Sequence, residues 1–221
     1  MQLSHVSLLG AASAVSAYTM PELARRGGSI SVTPHDRYSS SVGVLGCKIN
    51  TNRVAYWPSS VSCDNLCVRV TANGRSVTLL KIDQSGGAYD ISYDAWNYLV
   101  TGQGAKQNPV YGGGVSATWE DVPMSQCADL LSVAGGKLPL AAANAMNYVA
   151  SCTSNTWVAN NYALYNILDP ACKWGYDELC TLPPPTVSNQ PSCQHQLGVP
   201  VTFIGQGFKN IDYGTGKESP P

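Results

Sequence analysis

The sequence predicts a mainly β fold: a small β-barrel with one short helix, followed by a helical extension stapled by disulfides. Three observations predict it. Short runs of alternating polar and apolar residues are separated by Gly and Asn-Gly turns. Charged residues are sparse, whereas Gly, Ser, Asn, Tyr and Pro are plentiful, which is typical of loop-rich extracellular β proteins. The chain also contains eight cysteines.

The alternating runs place short strands between residues 27 and 128. Ser29–Thr33 alternates with a period of two, as a half-buried strand does. Leu66–Thr71 and Ser76–Ile82 flank Asn73-Gly74, a strong signal for a two-residue hairpin turn. Residues 115–122 return to alternation and predict a further strand of the same barrel.

Residues 90–99 interrupt this pattern and predict the one short helix of the barrel domain. Ala95, Trp96 and Leu99 follow one another at helical spacing, which places Trp96 on the apolar stripe and in the core. Ser92 is a plausible N-cap, because its side-chain oxygen can accept from a free backbone N–H of the first turn.

The region after Cys127 has a different character. The Ala-rich run Leu138–Ser151 has helical periodicity, and Asn155–Leu168 predicts a second helix that ends before Pro170. Residues 199–204 could form a strand, and the last dozen residues are rich in Gly and Pro, which favours disorder. The sequence therefore predicts a domain at 27–128 and a Cys-containing helical extension with a flexible tail at 129–221.

Residues 1–17 have the pattern of a cleavable signal peptide. A short polar start precedes the apolar run 6–15, which is too short to span a bilayer, and small residues follow at the expected cleavage site. A buried N-terminal helix is the alternative. Arg25-Arg26 before Gly27-Gly28 suggests a pro-segment at 18–26, or else an exposed loop. We therefore expect export to an oxidising compartment.

An even number of cysteines in an exported chain predicts four disulfides. The cysteines are Cys47, Cys63, Cys67, Cys127, Cys152, Cys172, Cys180 and Cys193. The spacing of Cys63 and Cys67 also suits a zinc site, but no second close pair follows, so we expect no metal and no cofactor. Eight cysteines allow 105 pairings, and spacing alone does not choose among them.

The charge balance limits the classes of partner. The formal net charge is −1 and no basic stripe occurs, which disfavours nucleic acid and anionic membranes. We expect a soluble monomer whose partner is a polysaccharide or an extracellular host protein.

Four segments and one cysteine occur in an order that resembles a known family. They are NLCVRVT (65–71), VTLLKIDQ (77–84), YDISYDAW (89–96), VSATWEDVP (115–123) and Cys127. Together they resemble the six-stranded double-psi β-barrel of barwin, of the first domain of expansins and of rare-lipoprotein-A-like proteins. This resemblance implies a Cys67–Cys127 bridge, a Cys47–Cys63 bridge, and two further bridges inside the extension.

The resemblance also implies candidate catalytic residues. Some of these barrels hydrolyse polysaccharides with two carboxylates, which lie about 6.5–9.5 Å apart in inverting enzymes. Asp90 matches the position of the acid, and Asp36 is the candidate for the base. Asp90 could instead cap the helix, and expansins keep this acid without hydrolysing their substrate, so an enzyme is not the favoured interpretation. Asp83 is expected to be a buried hydrogen-bonding residue.

Aromatic side chains are the candidates for glycan contacts, because their flat apolar faces can stack on sugar rings. These candidates are Tyr56, Trp57, Tyr89 and Trp119. Tyr56 and Trp57 precede a proline and are expected in an exposed loop.

The sequence thus favours a secreted, fungal-type expansin-like or barwin-like protein of the apoplast or cell wall. It would bind a glycan or a host protein without turnover, as an effector that contributes to virulence. The alternatives are a cell-wall polysaccharide hydrolase or lytic enzyme that uses Asp90 and Asp36, and a protease inhibitor like some relatives of this barrel.

Overall fold

The structure is a computed structural model that describes residues 26–183 and 189–221. The predicted signal peptide and all of the predicted pro-segment except Arg26 lie outside these residues. Within the described ranges, no helix combines the length and the apolar character needed to cross a membrane.

Six strands form a closed barrel, as the sequence predicts. They are β1 (Gly27–His35), β2 (Val54–Trp57), β3 (Cys67–Ala72), β4 (Arg75–Gln84), β5 (Tyr89–Ser92) and β6 (Val115–Asp121). Their order around the barrel is β1-β5-β2-β4-β3-β6. The pairs β1–β5 and β2–β4 are parallel, and the other four pairs are antiparallel.

The turn between β3 and β4 has the predicted form. Asn73 and Gly74 have φ angles of 51° and 73°, so both residues of the two-residue turn are left-handed. A hairpin with this turn matches the twist of its strands, and Asn-Gly tolerates it better than other pairs. The register of Val70 opposite Val77 follows from it.

The one helix of the barrel domain, α1 (Tyr93–Thr101), begins later than predicted. Asp90 lies on β5, because this segment pairs with both β1 and β2 and that pairing overrides local helical spacing. Ser92 stands at the N-cap, but its side chain makes no capping hydrogen bond. Trp96 is buried in the core, as expected, and its Nε1 donates to the carbonyl of Gly113 at 3.1 Å.

Apolar side chains form a core inside the barrel and a second core outside it. The inner core joins α1 to the strands through residues such as Val32, Leu79 and Leu99. The outer core joins other faces of β2 and β4, including Leu80, to the region after Cys127, including Leu140. Because β4 contributes to both cores, the extension and the barrel share a buried interface.

The extension is a three-stranded sheet and not a pair of long helices, which corrects that part of the prediction. Its elements are β7 (Leu138–Ala141), α2 (Met146–Ser151), α3 (Trp157–Asn160), β8 (Tyr162–Ile167) and β9 (Gly175–Cys180). β7 is parallel to β8, and β9 is antiparallel to it. Periodicity alone does not separate short buried strands from helices, and here burial on both faces selects strands.

All eight cysteines are paired, as predicted, but only one implied pairing is confirmed. The bridges are Cys47–Cys172, Cys63–Cys152, Cys67–Cys127 and Cys180–Cys193. The Cys67–Cys127 bridge is confirmed, the Cys47–Cys63 bridge is wrong, and only Cys180–Cys193 lies wholly inside the extension. Because the extension packs on the barrel, its first two cysteines face cysteines of the barrel domain.

The C-terminal residues are ordered, which corrects the prediction of a disordered tail. β10 (Asn210–Ile211) and β11 (Glu218–Ser219) form a hairpin. Within residues 199–204, predicted as a strand, only Thr202 makes an isolated bridge, with Trp174.

An ion pair and a hydrogen bond from the backbone connect this hairpin to the barrel domain. Arg37 pairs with Asp212 at 3.5 Å, and the backbone N–H of Tyr38 donates to Asn210 Oδ1 at 3.0 Å. Ile211 is buried against the inner core, so the hairpin completes the hydrophobic packing near α1.

His195 and Glu178 connect the segment after Cys193 to β9 of the extension. The backbone N–H of His195 donates to Glu178 Oε1 at 2.8 Å, and Nδ1 lies 2.7 Å from Oε2. Desolvation opposes ionisation, but these contacts and the Asn166 amide outweigh it and lower the pKa of Glu178 to about 2. The ring of His195 also stacks on Tyr176, with centroids 3.9 Å apart.

The lowered pKa of Glu178 should make the stability of the folded protein depend on pH in the acidic range. The folded-state pKa lies below the ordinary value of 4.5, so the contribution is complete above pH 4.5 and is lost as pH falls towards 2. Thermal unfolding between pH 2 and pH 6 should show a smaller decline for Glu178→Gln than for the wild type. Glu120→Gln, on the barrel, serves as the control and should keep the wild-type decline. Parallel curves for the wild type and Glu178→Gln would contradict this assignment.

Candidate functional site

Helix α1 and a set of aromatic residues close opposite ends of the barrel. Arg75, at the start of β4, donates to the carbonyl of Leu99 on α1 at 3.2 Å. Gln84, at the other end of β4, is paired with Trp57. There Trp57, Tyr89 and Trp119 contact one another and form what we call the aromatic cluster.

Trp57 is the centre of the aromatic cluster. Its ring makes edge-to-face contacts with Tyr89 at 5.1 Å and with Trp119 at 5.9 Å between centroids, the geometry that aromatic pairs favour. Trp57 is 4% exposed, whereas Tyr89 and Trp119 are half-buried. Trp57 therefore fixes the orientation of two rings that keep part of their surface in solvent.

The expectation that Tyr56 and Trp57 lie in an exposed loop is wrong. Both belong to β2, which pairs with β4 on one side and β5 on the other, and each is 4% exposed. Tyr56 donates its hydroxyl to the carbonyl of Arg37 at 3.2 Å, and burial raises its pKa. Of the four predicted glycan contacts, only Tyr89 and Trp119 present surface to a ligand.

A buried ion pair lies beside the aromatic cluster. Lys81 Nζ donates to the carboxylate of Asp121, and both residues are less than 10% exposed. Burial lowers the pKa of Lys81, although the hydrogen bond and the charge of Asp121 oppose this. The ammonium lies 5.7 Å from the centroid of the Trp119 ring, within reach of a cation–π contact.

Asp90, the predicted acid, is held by its neighbours on the barrel wall. Thr33 Oγ1 donates to Asp90 Oδ1, and the two residues are opposite each other in the parallel pair of β1 and β5. This hydrogen bond takes the place of the capping role that the sequence also allowed. Asp90 follows Tyr89 directly on β5, so the two side chains point to opposite faces of the barrel wall, and Asp90 lies opposite Tyr56 in the pairing with β2.

Asp36, the predicted base, lies towards the α1 end of the barrel. It lines a narrow pocket together with His35 and Ser92, and residues 209–211 at the C-terminal hairpin form part of its wall. The backbone N–H of Tyr213 donates to Asp36 Oδ2 at 3.4 Å. Asp36 is three residues beyond Thr33, the partner of Asp90, which corresponds to about 10 Å along an extended strand.

The two predicted catalytic carboxylates make different contacts, although Tyr56 both lines the pocket of Asp36 and lies opposite Asp90 in the pairing of β2 with β5. Asp90 is not among the residues that line the pocket of Asp36, and the C-terminal hairpin contacts Asp36. Asp83 is buried, as expected, and accepts from Ser39 Oγ at 2.6 Å and from the N–H of Ser41 at 2.9 Å.

Sequence reasoning missed the Lys81–Asp121 pair and the role of the C-terminal hairpin. The sequence does contain a signal for the Lys81–Asp121 pair. Lys81 interrupts the apolar residues of β4, and a charge buried there needs a partner of opposite charge. No comparable signal marks the hairpin, whose position depends on contacts with Arg37 and Tyr38, more than 170 residues earlier in the chain.

The strand order and the parallel pairs define the class of the barrel domain: it is a double-psi β-barrel of the expansin-like kind. Residues 30–130, somewhat less than half of the chain, match the family model of cerato-platanin, so the barrel domain is similar to that family. The match ends before the three-stranded sheet of the extension. A search of curated proteins found no match. Cerato-platanin proteins are secreted fungal proteins that bind carbohydrates without enzymatic activity and act as elicitors.

Proposed function

We propose that the barrel domain binds a neutral cell-wall glycan at the aromatic cluster, outside the cell and without turnover. The observation that carries this proposal is the pair of half-buried rings, Tyr89 and Trp119, held by the buried Trp57. Rings fixed in this way offer flat apolar surface without losing side-chain freedom on binding, which favours contacts with sugar rings.

Polar groups next to the rings support recognition of hydroxyls. Gln84 is exposed beside Trp57, and its side-chain amide can both donate and accept a hydrogen bond. A glycan contributes both acceptors and donors, so the cluster combines stacking surface with groups that orient a sugar.

The surroundings of the carboxylates favour binding over hydrolysis. Hydrolysis with inversion needs an acid and a base on opposite sides of one bond, with room for water between them. Here Asp90 accepts from Thr33, whereas Asp36 lines a separate pocket under the C-terminal hairpin. We therefore propose a non-catalytic protein of the apoplast or fungal cell wall, with an effector role that follows from glycan capture.

Binding to insoluble glycans tests this proposal. Pull-down with cellulose, β-glucan and chitin should show retention of the wild type on at least one of them. Trp119→Ala should weaken retention by about five- to ten-fold, because one stacking contact is worth about 1 kcal/mol. Trp174→Ala removes a 45% exposed tryptophan from the extension and should leave retention unchanged.

Three outcomes contradict this assignment. Equal losses for Trp119→Ala and Trp174→Ala would show that the aromatic cluster is not the contact surface. Release of reducing ends that disappears in Asp90→Asn would favour a polysaccharide hydrolase, the alternative from sequence. Stable complex formation with a papain-like protease, without glycan retention, would favour an inhibitor.

A further inference from the structure

A second cleft lies at the opposite end of β4 from the aromatic cluster, and we call it the polar groove. It is an open cleft with a cavity volume of about 300 Å³, at the lower end of the size range of small-molecule sites. Its polar wall residues are Asn50, Arg53, Ser76, Thr78, Tyr98 and Asp129. Val77 and Leu130 add a small apolar surface.

The polar groove is distinct from the aromatic cluster. Thr78 and Gln84 are six positions apart on β4, a separation of about 20 Å along the strand, and Gln84 is the residue paired with Trp57. Four parts of the chain meet at the polar groove: β4, α1 and the turns that hold Arg53 and Asp129.

Unused hydrogen-bonding groups of both kinds line the polar groove. Arg53 Nη1 contacts Asp94 Oδ2 at 2.7 Å and the carbonyl of Asn52 at 2.6 Å, which leaves the other guanidinium N–H groups free for a ligand. Among the described residues, the carboxylate of Asp129 and the hydroxyl of Thr78 have no hydrogen-bond partner. The amide N–H₂ of Asn50 also has none in this part of the chain.

The charges of the polar groove select the chemistry of its ligand. The guanidinium of Arg53 is already neutralised by Asp94, and Asp129 adds a further negative charge, so an anion is disfavoured. The lining is too polar for an apolar ligand. A neutral ring that carries several hydroxyls fits, because it can donate to Asp129, accept from Arg53 and rest on the half-buried Tyr98.

We propose that the polar groove is a second binding site, for a neutral polyhydroxylated ring such as one unit of a hexose oligosaccharide. This site is independent of glycan binding at the aromatic cluster. Its acceptors and donors lie on four separate parts of the barrel domain and line one cleft without any ligand bound.

NMR titration with a soluble β-1,4-glucose hexasaccharide tests the proposal. Amide signals of Val77, Thr78 and Leu130 should shift as the sugar is added. In the variant Thr78→Val/Asp129→Ala, the dissociation constant from this titration should rise about ten-fold, because two hydrogen-bonding groups are removed. Thr118→Val, a matched change at an exposed β6 position, should behave as the wild type. An anionic oligogalacturonate of the same length should leave the three signals unmoved.

The same titration on Trp119→Ala separates this site from the aromatic cluster. Shifts at the polar groove should persist in Trp119→Ala even if the shifts near Trp57 disappear. Absence of shifts at Val77, Thr78 and Leu130 at millimolar sugar would overturn the proposal. Equal weakening by Thr118→Val, or stronger binding of the anionic sugar, would also overturn it. Loss of shifts at the aromatic cluster alone would count only against the first site.

Discussion

Replacing Cys47 and Cys172 by serine should lower the free energy of unfolding by about 4 kcal/mol. The bridge joins residues 125 positions apart. The Cys63–Cys152 bridge is a shortcut inside the loop closed by Cys47–Cys172. The effective loop is therefore about 36 residues, from 47 to 63 and from 152 to 172, and the loss of chain entropy for a loop of this size gives about 4 kcal/mol. The loss should appear in chemical denaturation under oxidising conditions, followed by tryptophan fluorescence.

The pattern of the loss distinguishes the role of this bridge from a general cost of losing cysteines. Amide hydrogen exchange should accelerate first in β7 and β8, which depend on the extension packing against the barrel. Cys180→Ser/Cys193→Ser opens a loop of 13 positions at the far side of the extension and should leave exchange in β7 unchanged. The same acceleration of β7 in both variants would contradict the tethering role of Cys47–Cys172.

Asp121→Asn should destabilise the barrel by about 3–5 kcal/mol, because it leaves the ammonium of Lys81 buried without a charged partner. The double variant Lys81→Met/Asp121→Leu replaces both charges with apolar groups and should lie within about 1 kcal/mol of the wild type, or above it. Urea denaturation measures both effects.

A neighbouring ion pair supplies the control. Arg69 and Glu120 are 2.9 Å apart and their side chains are each 38% exposed. Glu120→Gln should therefore cost less than about 1 kcal/mol, as expected for a solvated pair. Similar losses in Asp121→Asn and Glu120→Gln would show that Lys81 keeps its hydration and that burial does not set the cost.

Local signals in the sequence were sufficient for most of the barrel. The Asn73-Gly74 turn and the alternation on both sides of it predicted β3 and β4, since a hairpin is specified by neighbouring residues. The resemblance of the ordered segments to barwin and expansins implied the double-psi class and the Cys67–Cys127 bridge, and both are confirmed. Trp96 was placed in the core because helical spacing is a short-range property.

The errors occurred where distant parts of the chain decide the structure. Tyr162–Ile167 is a strand because it lies between β7 and β9, and no local signal shows these partners. Trp57 was expected in a loop because Pro58 follows it, but β2 is flanked by two strands and buries the ring. In the candidate site, the aromatic chemistry of Tyr89 and Trp119 was enough to predict them as glycan contacts. Which aromatic rings keep surface in solvent could not be predicted, because closure of the barrel decides it.

Three of the bridges are nested: Cys67–Cys127 lies within Cys63–Cys152, which lies within Cys47–Cys172. A protease that cuts one peptide bond between Cys47 and Cys172 therefore releases no fragment, because at least one sulfur link still joins the two pieces. An extracellular protein with this arrangement keeps its barrel and its extension together after a nick in any loop between them. The covalent connection is lost only on reduction or after two cuts, for example one between Cys47 and Cys63 and another between Cys152 and Cys172.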